Sequence, residues 1–152
     1  MASTDRHYAQ AQAIQTALRT LTFTGFDSGD IQLIDDFEND KIPERGIYVQ
    51  MVEESFGVGT NEHNDVRYAC LVARVLPKVD MRDGMQSRSQ FRIAVIKTFH
   101  RKRIGIDAPS SCEIVSWVRT HQMKVPSAWR RSNLDVTVLK ITSLIRETRV
   151  LS

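Results

Sequence analysis

The chain is poor in the residues that usually announce chemistry. Among its 152 residues are two cysteines, four histidines and four prolines. No Cys-x-x-Cys or His-x-x-x-His pair relates Cys70, Cys112, His7, His63, His100 or His121. A zinc site would need a wholly non-local assembly, so free, buried, reduced thiols are expected in the β-type runs that carry the cysteines. There is no Gly-x-Ser-x-Gly elbow. Gly57-Val58-Gly59-Thr60-Asn61 has no following lysine and opens no helix, so its amides would not converge on a phosphate. Aromatic content is 7%, and no recognised nucleic-acid motif appears. No apolar run approaches membrane-spanning length. Residues 1–5 lack the basic and apolar regions of a signal peptide. The expectation is a protein without catalytic residues, metal or cofactor, made and used in a reducing cytoplasm or in a particle assembled there.

What is present is ordinary for a globular protein: 41% hydrophobic, 26% charged, net charge +3. The length suits a single domain over residues 1–152. The small positive charge permits contact with nucleic acid but is not the footprint of a dedicated binder.

The organising stretch is residues 46–77. Ile47-Tyr48-Val49-Gln50-Met51-Val52 is rich in β-branched and aromatic residues, and Val66 to Leu76 is a longer run closed by Pro77. In the second run, Val66, Tyr68, Cys70 and Val72 alternate with Ala69, Leu71, Ala73 and Val75. A strand apolar on both faces is expected at the centre of its sheet. Between the runs, residues 53–65 read as a polar, glycine-hinged loop. Its length exceeds the roughly two to five residues that close a hairpin. It combines acidic Glu53, Glu54, Glu62 and Asp65 with apolar Phe56 and Val58. Docking against a neighbouring subunit is therefore one reading, carried by Glu54, Phe56, Val58, Thr60, Asn61 and Glu62. A plain flexible connection is the other.

Upstream, Tyr8, Ala11, Ile14, Ala17, Leu18 and Leu21 recur at helical spacing, predicting a helix over residues 5–21. Gln10, Gln12, Gln15 and Arg19 fall on its other side, read as a solvated face. Ile31 to Ile34 fits a short edge strand. Asp35-Asp36-Phe37-Glu38-Asn39-Asp40 misses the calcium-loop spacing and reads as a solvated acidic loop. Downstream, residues 85–101 predict a second helix with Phe91, Ala94, Val95, Thr98 and Phe99 facing inward. Lys97, Arg101, Lys102 and Arg103 at its end complement the helix dipole and are also candidates to touch phosphates. Residues 111–118 form a third β-type run, and residues 121–132, with Trp129-Arg130-Arg131, read as a connection. Residues 134–148 fit either period, but Val136, Thr137, Val138, Ile141 and Thr142 favour a strand. The expected fold is α+β, two layers, with a mainly antiparallel sheet of four to five strands packed by two helices.

This order of elements resembles the tail terminator proteins of tailed bacteriophages and the related head–tail joining (tail completion) proteins. The resemblance rests on Ala13-Ile14-Gln15-Thr16-Ala17-Leu18, the strand at Gly46 to Met51, the Gly57 to Asn61 loop, Asp65-Val66-Arg67-Tyr68, and the final strand at Asp135 to Leu139. It implies a structural virion protein that forms a ring, commonly a hexamer, at the head-proximal end of the tail tube. Such a ring ends tube growth and joins the tail to the head. Its implied partners are copies of itself, the tube protein, a head–tail connector and, in passing, genomic DNA beside Lys97, Arg101, Lys102 and Arg103. A small basic nucleic-acid-binding module using those cations and Arg130-Arg131 is the alternative. A cytosolic enzyme with a site around His63 and Asp65 ranks last.

Overall fold

In the computed structural model the described residues are 6–23, 25–34, 45–58, 63–77, 84–102, 112–125 and 133–148, without the side chains of 56–58, 63–65, 112–115 and 146–148. In chain order they form helix α1 (Arg6–Arg19), a 3-10 turn (Ser28–Asp30), and strands β1 (Ile31–Leu33), β2 (Gly46–Val58) and β3 (His63–Pro77). Helix α2 (Gly84–Phe99) and strands β4 (Cys112–Gln122) and β5 (Leu134–Thr148) follow. The five strands make one sheet in the order β1-β2-β3-β5-β4. The β1–β2 pair is parallel and the other pairs are antiparallel. The α+β architecture and the central place of β3 are those expected from the alternating apolar run.

Both helices cover the same face. Ala11, Ile14 and Leu18 of α1 and Phe91, Val95 and Phe99 of α2 meet Ile47, Val49, Val72, Leu139 and Ile141 in one core. Each fully buried aliphatic side chain there contributes about 1.5–3 kcal/mol through removal from water. The opposite face carries a smaller cluster of Tyr48, Ala73, Val75, Val136 and Val138, packed by Ile34, Leu71, Val125 and Leu134. Two faces with apolar cover explain why β3 is apolar at nearly every position near its centre.

Local chemistry sets the ends. The Thr20 hydroxyl donates to the Ala17 carbonyl at 2.6 Å, drawing that carbonyl out of the ladder as α1 stops. Asn133 enters β5 with φ 54°, a left-handed conformation that asparagine tolerates better than most residues. A Cβ on Gly46 would lie 2.6 Å from the Tyr48 hydroxyl, so glycine is needed where that ring folds back over the strand start.

Two expectations require correction. The β-ladder continues through residues 53–58 and 63–65, with Glu54 opposite Tyr68, Phe56 opposite Val66 and Val58 opposite Asn64. Only residues 59–62 lie between the two strands. The supposed long loop is therefore mostly strand, because β5 continues alongside β3 as far as Thr148 and supports the pairing from the other side. In α1 the buried face is His7, Gln10, Ala11, Ile14 and Leu18, while Tyr8 is 46% exposed. Gln10 is fully buried and does not belong to a solvated face.

Candidate functional site

The sheet has two edges, and they are finished differently. At the β4 edge the chain leaving α2 turns back on the strand. Arg101 N–H donates to the Ser116 carbonyl at 2.6 Å, and Ser116 N–H donates to the Lys102 carbonyl at 3.0 Å. The Val118 N–H donates to His100 Nδ1 at 3.0 Å. Arg101 adopts φ 56° to make this turn. In the middle of β4, edge groups of Ser116 and Val118 that would otherwise template a foreign strand are thereby occupied.

At the other edge β1 covers little. Its register runs only from Ile31 opposite Ile47 to Leu33 opposite Val49. Among the described residues no strand pairs with the outer side of β2 from Met51 to Val58. Met51, Glu53, Glu54 and Ser55 along it are exposed. A bulge between Met51 and Glu53 interrupts the β2–β3 register midway. Bulges twist an edge, yet this one leaves several consecutive residues able to accept another strand.

The residues suggested by sequence divide between these edges and undescribed segments. Glu54 is exposed on β2, Phe56 and Val58 belong to the same strand, and Thr60, Asn61 and Glu62 lie outside the described residues. Lys97, Arg101 and Lys102 are exposed around the end of α2, whereas Arg103 lies outside the described residues. The docking and basic candidates thus fall on opposite edges of the sheet. His63 and Asp65 occupy β3, opposite Thr148 and Arg146. Residues 35–40 and Trp129-Arg130-Arg131 fall outside the described segments, as does the Cys112 side chain.

Outside those candidates, the half of the helix-free face beyond its small apolar cluster carries exposed Arg67 and Arg119 and half-buried Lys140 and Trp117. Lys140 Nζ reaches across the sheet to Glu53 at 2.9 Å. That hydrogen bond and the charge on Lys140 hold the Glu53 carboxyl below its usual range. These cations come from three strands, so no run in the sequence displays them together.

Two buried polar clusters were also missed. Under α1, Gln10 Nε2 donates to the Tyr68 carbonyl at 3.0 Å and to Ser143 Oγ at 2.7 Å. Its Oε1 accepts from the Cys70 thiol at 3.2 Å, and Ser143 Oγ meets Ser116 Oγ at 2.7 Å. His7 Nε2 donates to the Ala69 carbonyl at 2.9 Å, one residue along. Burial pushes the Cys70 thiol up to about 12, so it remains protonated and unreactive in the fold.

Under α2, Arg74 reaches Asp135 at 3.0 Å and the Ser87 hydroxyl, while Arg88 reaches the other oxygen of Asp135 at 3.0 Å. Burial lowers the Arg74 pKa, the hydrogen bond and charge of Asp135 oppose that shift, and the Arg88 charge adds to it. The sequence did hold a signal. Arg74 shares the helix-facing parity of Tyr68, Cys70 and Val72, so a cation interrupts an otherwise largely apolar row. Among the described residues no group of three His, Cys, Asp or Glu side chains gathers as a metal site. Among the described residues no helix is long and apolar enough to cross a membrane. No protein-family model matches the chain, and no curated protein matches its sequence.

Proposed function

We propose that the chain is a structural subunit of a tailed-bacteriophage neck. In this reading it closes into a ring, most commonly six-fold, at the head-proximal end of the tail tube, ends tube growth and joins the tail to a head connector. The order of elements resembles the tail terminator and tail completion proteins. The observation that carries the assembly argument is that, among the described residues, no strand pairs with the outer side of β2 from Met51 to Val58, while the middle of the other edge is capped at Ser116 and Val118. An open edge opposite one that is capped at its middle suits directional addition of a neighbour, and a repeated heterologous contact closes into a ring when its rotation permits. Genomic DNA crosses such a ring, for which modest positive charge is adequate and strong phosphate binding would be a hindrance.

The test is the mass and symmetry of the protein alone and on isolated tail tubes, for wild type and for Met51→Lys with Ser55→Lys. The ring reading expects cyclic wild-type assemblies on tube ends and a folded double variant that does not assemble, since edge lysines deter strand addition. Wild-type protein that stays monomeric and ignores tube ends would sink it. Tight, salt-sensitive DNA binding by that monomer, lost on replacing Lys97, Arg101 and Lys102 with glutamine, would favour the nucleic-acid module instead.

A further inference from the structure

Two guanidinium groups share one carboxylate beneath α2. Asp135 is fully buried, Arg74 is 2% exposed, and among the described residues Asp135 is the one carboxylate either arginine meets. Arg88 is nearer the surface, with its side chain 15% exposed. The cluster therefore holds a surplus positive charge where solvation is poor, an arrangement that costs stability unless an anion or water answers it. An arginine carries five N–H donors, and two of those on Arg74 go to Asp135 and Ser87.

Beside this guanidinium lies a cavity of about 100 Å³. Phe23, Phe26, Phe91 and Ala94 supply apolar wall, and Arg74, Ser87 and Gln90 supply polar atoms. The Phe23 and Phe91 rings meet in a tilted arrangement with centroids 5.6 Å apart, which fixes one side of the space. A buried cation lining an aromatic recess is matched by an anionic head on a short apolar stem. The volume is well below the roughly 300–1,000 Å³ of drug-sized pockets, which restricts the guest to a few heavy atoms. The planar fork of an arginine suits a carboxylate better than a spherical anion.

We infer that the cavity beside Arg74 is a binding site for a small monocarboxylate, of about acetate to butyrate size. The site goes beyond the assembly reading and is independent of it, since every residue used comes from one subunit.

The experiment is calorimetric titration and thermal unfolding of the full chain with butyrate, with sodium chloride and inorganic phosphate at matched ionic strength as controls. Butyrate should bind saturably and raise the melting midpoint by about 5–10 °C at a hundredfold excess over half-saturation. Two variants attack different parts of the site. Ala94→Leu fills the cavity without touching a charge, and Arg88→Gln removes the surplus charge without touching the wall. Each should weaken butyrate at least tenfold while retaining a cooperative melt. Absence of saturable butyrate binding by wild type would overturn the site, as would unchanged affinity in both variants. Equal stabilisation by phosphate would overturn its carboxylate class.

Discussion

The two buried polar clusters are placed alike and built differently. Each links a helix to the central strands, one through Gln10 of α1 and the other through Ser87 and Arg88 of α2. The first is neutral, and both ends of the Gln10 amide are matched by partners. The second carries charge in unequal numbers and adjoins a cavity. A neutral, satisfied cluster fixes how a helix sits without storing an electrostatic cost, whereas an unbalanced one leaves a field that another charge can answer. The contrast separates a polar group kept for orientation from one suited to a ligand.

The sharpest way to break the comparison is to remove Asp135. Asp135→Ala leaves Arg74 buried without its counter-charge and should cost about 3–5 kcal/mol in denaturant unfolding. A loss below about 1 kcal/mol would show that water already neutralises the cluster. Gln10→Ala should cost less, about 2–3 kcal/mol, because it strands neutral groups on Tyr68, Ser143 and Cys70 and leaves a small void. If it cost as much as Asp135→Ala, the distinction between charged and neutral clusters would fail.

The gentlest probe is alkaline pH. Cys70 is raised from an ordinary 9.0 to about 12, so the unfolded chain loses this proton first as pH rises. Its contribution is intact below pH 9 and falls by up to about 1.4 kcal/mol per pH unit until the folded thiol itself ionises. Cys70→Ala should flatten that part of the stability curve, measured as unfolding free energy between pH 8 and 11. An unchanged slope in the variant would assign the alkaline loss to other groups.

The open and blocked edges carry a related lesson about legibility. Residues 53–58 read as loop because Gly57, Gly59 and Asn61 are turn-formers, and local chemistry says nothing of a third strand lying alongside. The register of β3 with β5 as far as His63 opposite Thr148 is what extends the hairpin. The blocked edge was equally hidden, since Lys97, Arg101 and Lys102 invited a reading about charge. The chain beside them also caps Ser116 of β4 through backbone atoms, which carry no sequence signature.

The fold class, the order of elements and the central position of β3 were legible in the sequence, and at residues 134–148 β-branching favoured the strand where period left both choices open. Period and β-branching are local properties that survive in any tertiary context. The inward stripe of α2 was legible for the same reason, with Phe91, Val95 and Phe99 all buried. Long-range packing was needed to bury Gln10, to bring Arg74 and Arg88 together on Asp135, and to leave β2 from Met51 to Val58 with no strand on its outer side among the described residues. Each of these depends on partners far away in the chain, Gln10 with Ser143 and Arg74 with Asp135. A polar residue on a half-apolar helix carries no mark of whether it will meet water or a waiting acceptor.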